Sequence, residues 1–111
     1  MIKTDIYIGL NDRETKEQKF DTSKYIDVLK HVCKSYQIPF SFNVVQGGYM
    51  HESGEYTEEN TLVLSLIDID KKTVNEIAED FCMFFNQESV LITSDLVRTY
   101  SIKRKEEEQA S

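Results

Sequence analysis

The fold is decided by a stretch in which apolar and polar residues alternate cleanly, Thr57-Glu58-Glu59-Asn60-Thr61-Leu62-Val63-Leu64-Ser65-Leu66-Ile67. Successive side chains of a strand point to opposite faces of a sheet, so Leu62, Leu64 and Leu66 share one face. Glu59 has the opposite parity and lies on the other face, among residues of mixed polarity. We therefore predict a strand over residues 57–67 that packs its leucines against the core and carries Glu59 on the far side.

Strand alternation and a helical spacing of 3.6 residues divide the rest of the chain. The predicted elements, in chain order, are a strand over residues 3–10, a helix that follows Asp21-Thr22-Ser23 and ends near Tyr36, a strand from Pro39-Phe40 into Gly47-Gly48, the strand over residues 57–67, a helix capped by Asp70 that reaches Phe85, a strand over residues 89–93 and another over residues 97–102. This order is β-α-β-β-α-β with an extra C-terminal strand. It predicts a ferredoxin-like α+β sandwich in which both helices cover one face of an antiparallel sheet.

The length of 111 residues suits a single domain, which we assign to residues 1–102. Residues 103–111 form a charged tail with nothing to bury, and we expect it to be disordered. No apolar run approaches the ~20 residues that cross a bilayer. The N-terminus lacks the basic and then apolar pattern of a signal peptide. We therefore expect a cytoplasmic protein without a membrane partner.

The formal net charge of −7 narrows the classes of partner. Nucleic-acid binding depends on Lys and Arg displacing counterions from phosphates, so an acidic chain argues against it. The charge fits a cationic ligand or a basic protein partner, although solubility alone would also explain it.

Conventional catalytic and metal motifs are weak in this sequence. Cys33 and Cys82 lie 49 positions apart inside helical patterns, and we expect both to be free thiols. We find no CxxC and no Cys/His set with zinc spacing, so we expect no metal and no cofactor. His51 lacks a partner at a spacing such as HExxH and is expected to be a solvated loop residue. A reaction that needs mainly positioning of the substrate remains open.

The candidate site lies where the second predicted strand ends and the third begins. Glu59 projects from the face of the sheet that the helices leave open, and such faces are often covered by another subunit. Its carboxylate could then line a pocket between subunits, whereas Glu58 faces the leucine side and is expected to be capping or solvated. Glu58 and Glu59 could equally be ordinary solvent-exposed acids at the start of a strand. Gly47-Gly48 could mark a bulge or bend, and Asn86-Gln87-Glu88 a helix C-terminal turn.

Three short motifs in this order resemble those of the phage S-adenosylmethionine (SAM) lyases, formerly called hydrolases: Gly47-Gly48-Tyr49, Glu58-Glu59-Asn60-Thr61 and Gln87-Glu88-Ser89-Val90-Leu91. The resemblance covers roughly residues 46–92. It implies a ferredoxin-like homotrimer with sites between subunits, similar in assembly to PII-type signalling proteins.

The resemblance also implies the reaction and the residues that serve it. The carboxylate of SAM attacks its own γ-carbon, expels 5′-methylthioadenosine and leaves homoserine lactone. Glu59 and Tyr49 match the catalytic positions of the family, and Gln87, Glu88 and Gly48 match substrate-binding positions. Glu59 would anchor the substrate ammonium, and Tyr49 would close the pocket near the sulfonium. For a phage-encoded enzyme in the host cytoplasm, loss of SAM would counteract host restriction or methylation.

Two alternatives belong to other functional classes. The first is a small acidic phage or mobile-element inhibitor that binds a basic surface of a host protein. The second is a PII-like trimer that binds a ligand without turning it over. Incubation with SAM and detection of methylthioadenosine distinguishes all three.

Overall fold

The computed structural model describes residues 1–50 and 52–105, and of Tyr49 it describes only the main chain. The predictions for His51 and for residues 106–111 of the tail fall outside this part of the chain. The elements are β1 (Ile2–Gly9), α1 (Thr22–Ser35), β2 (Ser41–Met50), β3 (Tyr56–Ile67), α2 (Lys71–Phe84) and β4 (Leu91–Leu96). The four strands form one sheet in the order β2-β3-β1-β4, and all neighbours are antiparallel. The predicted ferredoxin-like α+β fold is confirmed.

The parity predicted for β3 determines where the core sits. Leu62, Leu64 and Leu66 are fully buried, and the β1 residues of matching parity, Ile6 and Ile8, are buried with them. This face packs against helix residues that are also buried: Leu29, Val32, Cys33, Ile77 and Phe81. Removing one such side chain from water contributes about 1.5–3 kcal/mol to folding. Because the helices cover only this face, the opposite face of the sheet, which carries Glu59, stays open.

The second helix begins and ends where the sequence indicates. The Asp70 carboxylate accepts a hydrogen bond from the Thr73 N–H at 3.0 Å, and the Thr73 hydroxyl donates to it at 2.8 Å. These bonds are the N-cap that was predicted. At the other end, Asn86 adopts a φ of 48°, a left-handed conformation that asparagine tolerates better than most residues. The chain therefore leaves the helix at Asn86 and turns towards the site through Gln87.

Three details differ from the prediction. The fourth strand is Leu91–Leu96 rather than residues 89–93, and its register with β1 ends at the pair Ile2↔Leu96. Residues 97–102 form no strand. Val97 still exchanges hydrogen bonds with the main chain of Met1, at 2.9 and 3.3 Å, but no described strand runs beside the residues after it. Gly47 and Gly48 are not a bulge. They pair one to one with Glu59 and Glu58 inside a continuous β2–β3 ladder.

The cysteines are free, as predicted. Cys33 is buried in the core, and the desolvation of its thiolate raises the pKa of the thiol to about 11. Among the described residues, no helix has both the length and the apolar character that crossing a membrane requires.

Candidate functional site

The Glu59 carboxylate occupies a fixed position on the open face of the sheet. Its Oε2 accepts a hydrogen bond from the main-chain N–H of Asn11 at 2.9 Å. The carboxylate lies directly over Gly9, since a Cβ atom at position 9 would stand 2.5 Å from Oε2. Glycine at the end of β1 therefore leaves the space that the Glu59 carboxylate fills.

The main chain after β1 stays beside β3 and presents this N–H group. The Leu10 N–H donates to the Asn60 carbonyl at 3.0 Å, and the Asn11 amide Nδ2 donates to the Glu58 carbonyl at 3.3 Å. Both bonds extend the contact of the two strands past the end of β1. The position of the Asn11 N–H is thus set by strand pairing rather than by a mobile side chain.

Gln87 also bonds to the main chain of Asn11. Its Nε2 donates to the Asn11 carbonyl at 2.6 Å and to the Phe85 carbonyl at 3.3 Å. With both amide hydrogens directed at main-chain carbonyls, its remaining polar atom is the acceptor Oε1. The main chain of Asn11 therefore bonds to both Glu59 and Gln87, and these two predicted site residues are linked through one residue.

Asp12 organises the loop that follows. Its buried carboxylate accepts hydrogen bonds from the Glu14 N–H at 2.8 Å, the Thr15 N–H at 3.1 Å and Asn86 Nδ2 at 2.8 Å, and it pairs with Lys19 Nζ at 3.2 Å. The Asn86 bond, followed by the two main-chain bonds, holds the pKa of this carboxyl well below its usual range. An ionised Asp12 thus ties the loop after β1 to the end of α2.

These elements surround a cavity of about 190 Å³. The lining residues include three acids and two bases: Asn11, Asp12, Arg13, Lys16, Thr57, Glu59, Gln87, Glu88 and Ser89. Three predicted site residues, Glu59, Gln87 and Glu88, are therefore brought together although Glu59 and Gln87 are 28 positions apart in the sequence. A cavity with groups of both signs suits a ligand that carries both charges.

The other two predicted residues do not line this cavity. Gly48 lies in β2 opposite Glu58, on the edge strand of the sheet. The main chain of Tyr49 pairs with Thr57, a lining residue two positions before Glu59, while its side chain is outside the described part. The register therefore places Tyr49 two residue pairs along the β2–β3 ladder from Glu59.

Gly9, Asn11 and Asp12 are site residues that the sequence analysis did not identify. A glycine that ends a strand and is followed by Leu10-Asn11-Asp12 was the available signal, because strand glycines often mark a close approach. Nothing in the sequence says which side chain approaches. That depends on the β1–β3 register.

A larger cavity of about 490 Å³ lies on the helix side of the molecule. Phe20, Tyr25 and Phe84 supply aromatic walls, and Lys24 Nζ stands 5.1 Å from the centroid of the Phe20 ring. Asp12 and Asn86 border both this cavity and the loop described above, but no predicted site residue lines it. Its size alone does not make it the functional site.

No protein-family model matches the chain, and no curated protein matches it. Solved structures that are similar to it include two of phage SAM lyases. One is a phage SAM lyase in complex with S-methyl-5′-thioadenosine, at 22% identity and a TM-score of 0.66, with 85% of this chain and 79% of that chain covered. The other is a phage SAM lyase in the apo state, at 22% identity and a TM-score of 0.67, with 96% of this chain and 92% of that chain covered. The chain has the fold of the phage SAM lyases, as its motifs predicted.

Proposed function

We propose that this protein is a SAM lyase that converts SAM to 5′-methylthioadenosine and homoserine lactone at the cavity around Glu59. The observation that carries the proposal is the position of the Glu59 carboxylate. It is oriented by the Asn11 N–H and seated over Gly9, beside Gln87 and Glu88. The shared fold with a lyase that was solved with methylthioadenosine supports the choice of ligand.

The charges of the cavity fit the amino-acid end of SAM. Glu59 Oε2 is occupied by the Asn11 N–H, so Oε1 is the atom that would accept from the substrate ammonium. Glu88 lines the same cavity and would add negative charge near the sulfonium, and Gln87 Oε1 would be a second acceptor. Tyr49 would close the pocket by placing its ring over the sulfonium, which is worth about 0.5–2 kcal/mol.

The proposed reaction balances without a catalytic base. One carboxylate oxygen of SAM forms a bond to the γ-carbon, the γ-carbon–sulfur bond breaks, and its electron pair remains on the neutral thioether. No proton moves. The negative carboxylate and the positive sulfonium cancel as the new bond forms, so a site that excludes water favours the transition state over the charge-separated ground state. Holding the chain of SAM in a reactive conformation can supply up to about 7–11 kcal/mol.

The size of the cavity favours a site completed by another copy of the chain. At about 190 Å³ it is smaller than the roughly 300–1,000 Å³ of sites for ligands of this size. The adjoining open face carries partly exposed apolar residues, among them Val45 at 42% and Leu91 at 62%. We therefore include in the proposal a homotrimer with sites between subunits. The biological role that goes with it is depletion of SAM in a host cytoplasm, which would counteract restriction or methylation.

The decisive experiment incubates the protein with SAM and measures methylthioadenosine. Glu59→Gln should reduce the rate by a factor of a hundred or more, about 2.7 kcal/mol of transition-state stabilisation. Glu58→Gln is the matched control, because Glu58 is exposed on the other face of the same strand, and it should keep the wild-type rate. Equal rates for Glu59→Gln and Glu58→Gln would show that Glu59 has no specific role in the reaction.

Heavy-oxygen water distinguishes a lyase from a hydrolase. Direct hydrolysis places the solvent oxygen on the γ-hydroxyl of homoserine, whereas opening of a lactone at its carbonyl places it in the carboxyl group. We expect the label in the carboxyl group. Binding of SAM without any methylthioadenosine would instead support the PII-like ligand-binding alternative, and absence of both would support the host-protein inhibitor.

A further inference from the structure

The cavity on the helix side has aromatic walls that the proposed reaction does not use. Among the rings that line it, Tyr25 and Phe85 are buried, with their centroids 5.0 Å apart and their planes at 84°. Phe20 and Phe84 line it as well, yet these two side chains are 54% and 55% exposed. Exposed apolar surface that is concentrated at a cavity is typical of a site that binds a ligand.

The Phe20 ring and the Lys24 ammonium are held beside one another. The centroid of the Phe20 ring lies 6.1 Å from that of Tyr25, and Lys24 Nζ lies 5.1 Å from the Phe20 centroid. The main chain here is also fixed, because Gln18 Nε2 donates to the Phe20 carbonyl at 2.9 Å and to the Thr22 hydroxyl at 3.0 Å. A ligand would therefore find both groups in place, which lowers the entropy cost of binding.

The charged residues of this cavity are two bases and one acid, in a chain whose formal net charge is −7. The acid, Asp12, already pairs with Lys19 Nζ at 3.2 Å. Lys24 forms no ion pair with any acid of the described chain, and its side chain is exposed. The Lys24 ammonium is thus the charge at this cavity that can pair with a negative group of a ligand.

The short distance between the Phe20 ring and Lys24 Nζ restricts the shape of such a ligand. If a ring packs on Phe20 and an anionic group meets the ammonium, the anionic group has to be attached close to the ring. The volume of about 490 Å³ lies within the roughly 300–1,000 Å³ of small-molecule sites, so it can hold a fused pair of rings.

We propose that the helix-side cavity is a second ligand site, which binds a planar aromatic anion with its ring against Phe20 and Phe84 and its negative group on Lys24. Aromatic contacts would supply the apolar part of the affinity. The charge-assisted hydrogen bond from Lys24 would select for the anion.

This site is separate from the cavity proposed for SAM. The two cavities share Asp12, but Glu59, Gln87 and Glu88 line only the smaller one. SAM carries a positive sulfonium, and the excess of positive charge at the helix-side cavity disfavours it. The proposal therefore goes beyond the lyase reaction and does not depend on it.

The test is an NMR titration of the full-length protein with 2-naphthoate. The amide signals of residues at the cavity, such as Tyr25 and Phe85, should shift and reach saturation. Two related compounds separate the contributions, because 2-naphthylmethanol lacks the charge and cyclohexanecarboxylate lacks the aromatic ring. Each should bind at least about tenfold more weakly than 2-naphthoate.

Substitutions locate the ligand. Lys24→Gln and Phe20→Ala should each weaken the binding of 2-naphthoate by about tenfold, and both positions are exposed, so the amide spectrum away from the cavity should be unchanged. Lys30→Gln is the matched control. Lys30 is also exposed on α1 and stands 6.0 Å from the centroid of a phenylalanine ring, that of Phe42, but it does not line this cavity. Lys30→Gln and Glu59→Gln should bind 2-naphthoate as the wild type does.

Several results would overturn the proposal. They are the absence of saturable shifts at millimolar 2-naphthoate, equal binding of either related compound, and binding that survives both Lys24→Gln and Phe20→Ala. Loss of binding in Glu59→Gln would place the ligand in the smaller cavity and overturn it as well. A protein that binds 2-naphthoate but forms no methylthioadenosine would defeat only the lyase proposal, and an active lyase that does not bind 2-naphthoate would defeat only this site.

Discussion

The carboxylate of Glu59 fills the space that a side chain at position 9 would occupy, with Oε2 2.5 Å from the Cβ position of Gly9. Gly9→Ala should therefore push the carboxylate away from the Asn11 N–H. The clash is with the far end of a flexible side chain, so the free energy of unfolding should change by no more than about 1 kcal/mol. A displacement near 1 Å can cost about a hundredfold in rate. We expect a loss of this order in methylthioadenosine formation at nearly unchanged stability.

Gly47→Ala is the matched control for Gly9→Ala. Gly47 is the strand partner of Glu59, yet a Cβ atom there meets nothing within 4 Å. The Gly47→Ala variant should form methylthioadenosine at a rate within a factor of about three of the wild type. This is well under the factor of ten that corresponds to 1.36 kcal/mol. If both alanine variants lost activity equally, the loss would reflect a general effect on the strands and not the position of Glu59.

Asp12 should make the stability of the protein depend on pH in the acid range. Its pKa is lowered from the ordinary value of 3.8, chiefly by the hydrogen bond from Asn86, so its contribution to stability is fully present above pH 3.8 and is lost as the pH falls below that value. Asp12→Asn should lower the midpoint of thermal unfolding at pH 7. The further fall of this midpoint below pH 3.8 should be smaller in the variant than in the wild type. Thermal unfolding of both proteins from pH 7 to pH 2 measures it.

Asp27→Asn serves as the comparison for Asp12→Asn, because Asp27 is exposed on α1. Its unfolding midpoint should follow that of the wild type at every pH. An Asp12 variant that behaves in the same way would show that the loop is held by other contacts.

The two free cysteines should react with thiol reagents at different rates. Thiolates are the reactive form, and burial raises the pKa of Cys33 to about 11, while Cys82 is only partly buried. Mass spectrometry of the native protein at pH 7 should show Cys82 labelled first and Cys33 labelled only after unfolding. Equal labelling of both would indicate that the core opens far more readily than its packing suggests.

The two faces of β3 should differ in how much their side chains contribute to the free energy of unfolding. Leu64→Ala removes a fully buried side chain and should cost about 2–5 kcal/mol, as measured by urea unfolding. Val63→Ala, on the open face, removes a partly buried one and should cost less at low protein concentration. A similar cost for both would mean that the open face is covered in solution, which would itself support assembly.

The sequence was sufficient for features that depend on local pattern. The alternation in β3 predicted that its leucines lie in the core and Glu59 on the open face. Asp70 could be predicted as an N-cap because its hydrogen bonds are to Thr73, only three residues later in the chain. The loop after β1 could not be predicted in the same way. Asp12 bonds to Asn86, 74 residues away, and that contact exists only once β1 and α2 are side by side. The predicted strand at residues 97–102 was wrong for a related reason. Alternation can indicate a strand, but it does not show whether a neighbouring strand is available for pairing.

The hydrogen bond that orients Glu59 has a donor that every amino acid except proline possesses. Because the Asn11 main chain supplies the N–H, substitutions at position 11 leave this bond in place as long as the chain follows the same path. Much of the arrangement around Glu59 is therefore encoded in where the backbone turns, and only a little of it in which side chains are present. Proteins of this fold could diverge widely in sequence and still hold a carboxylate in the same place.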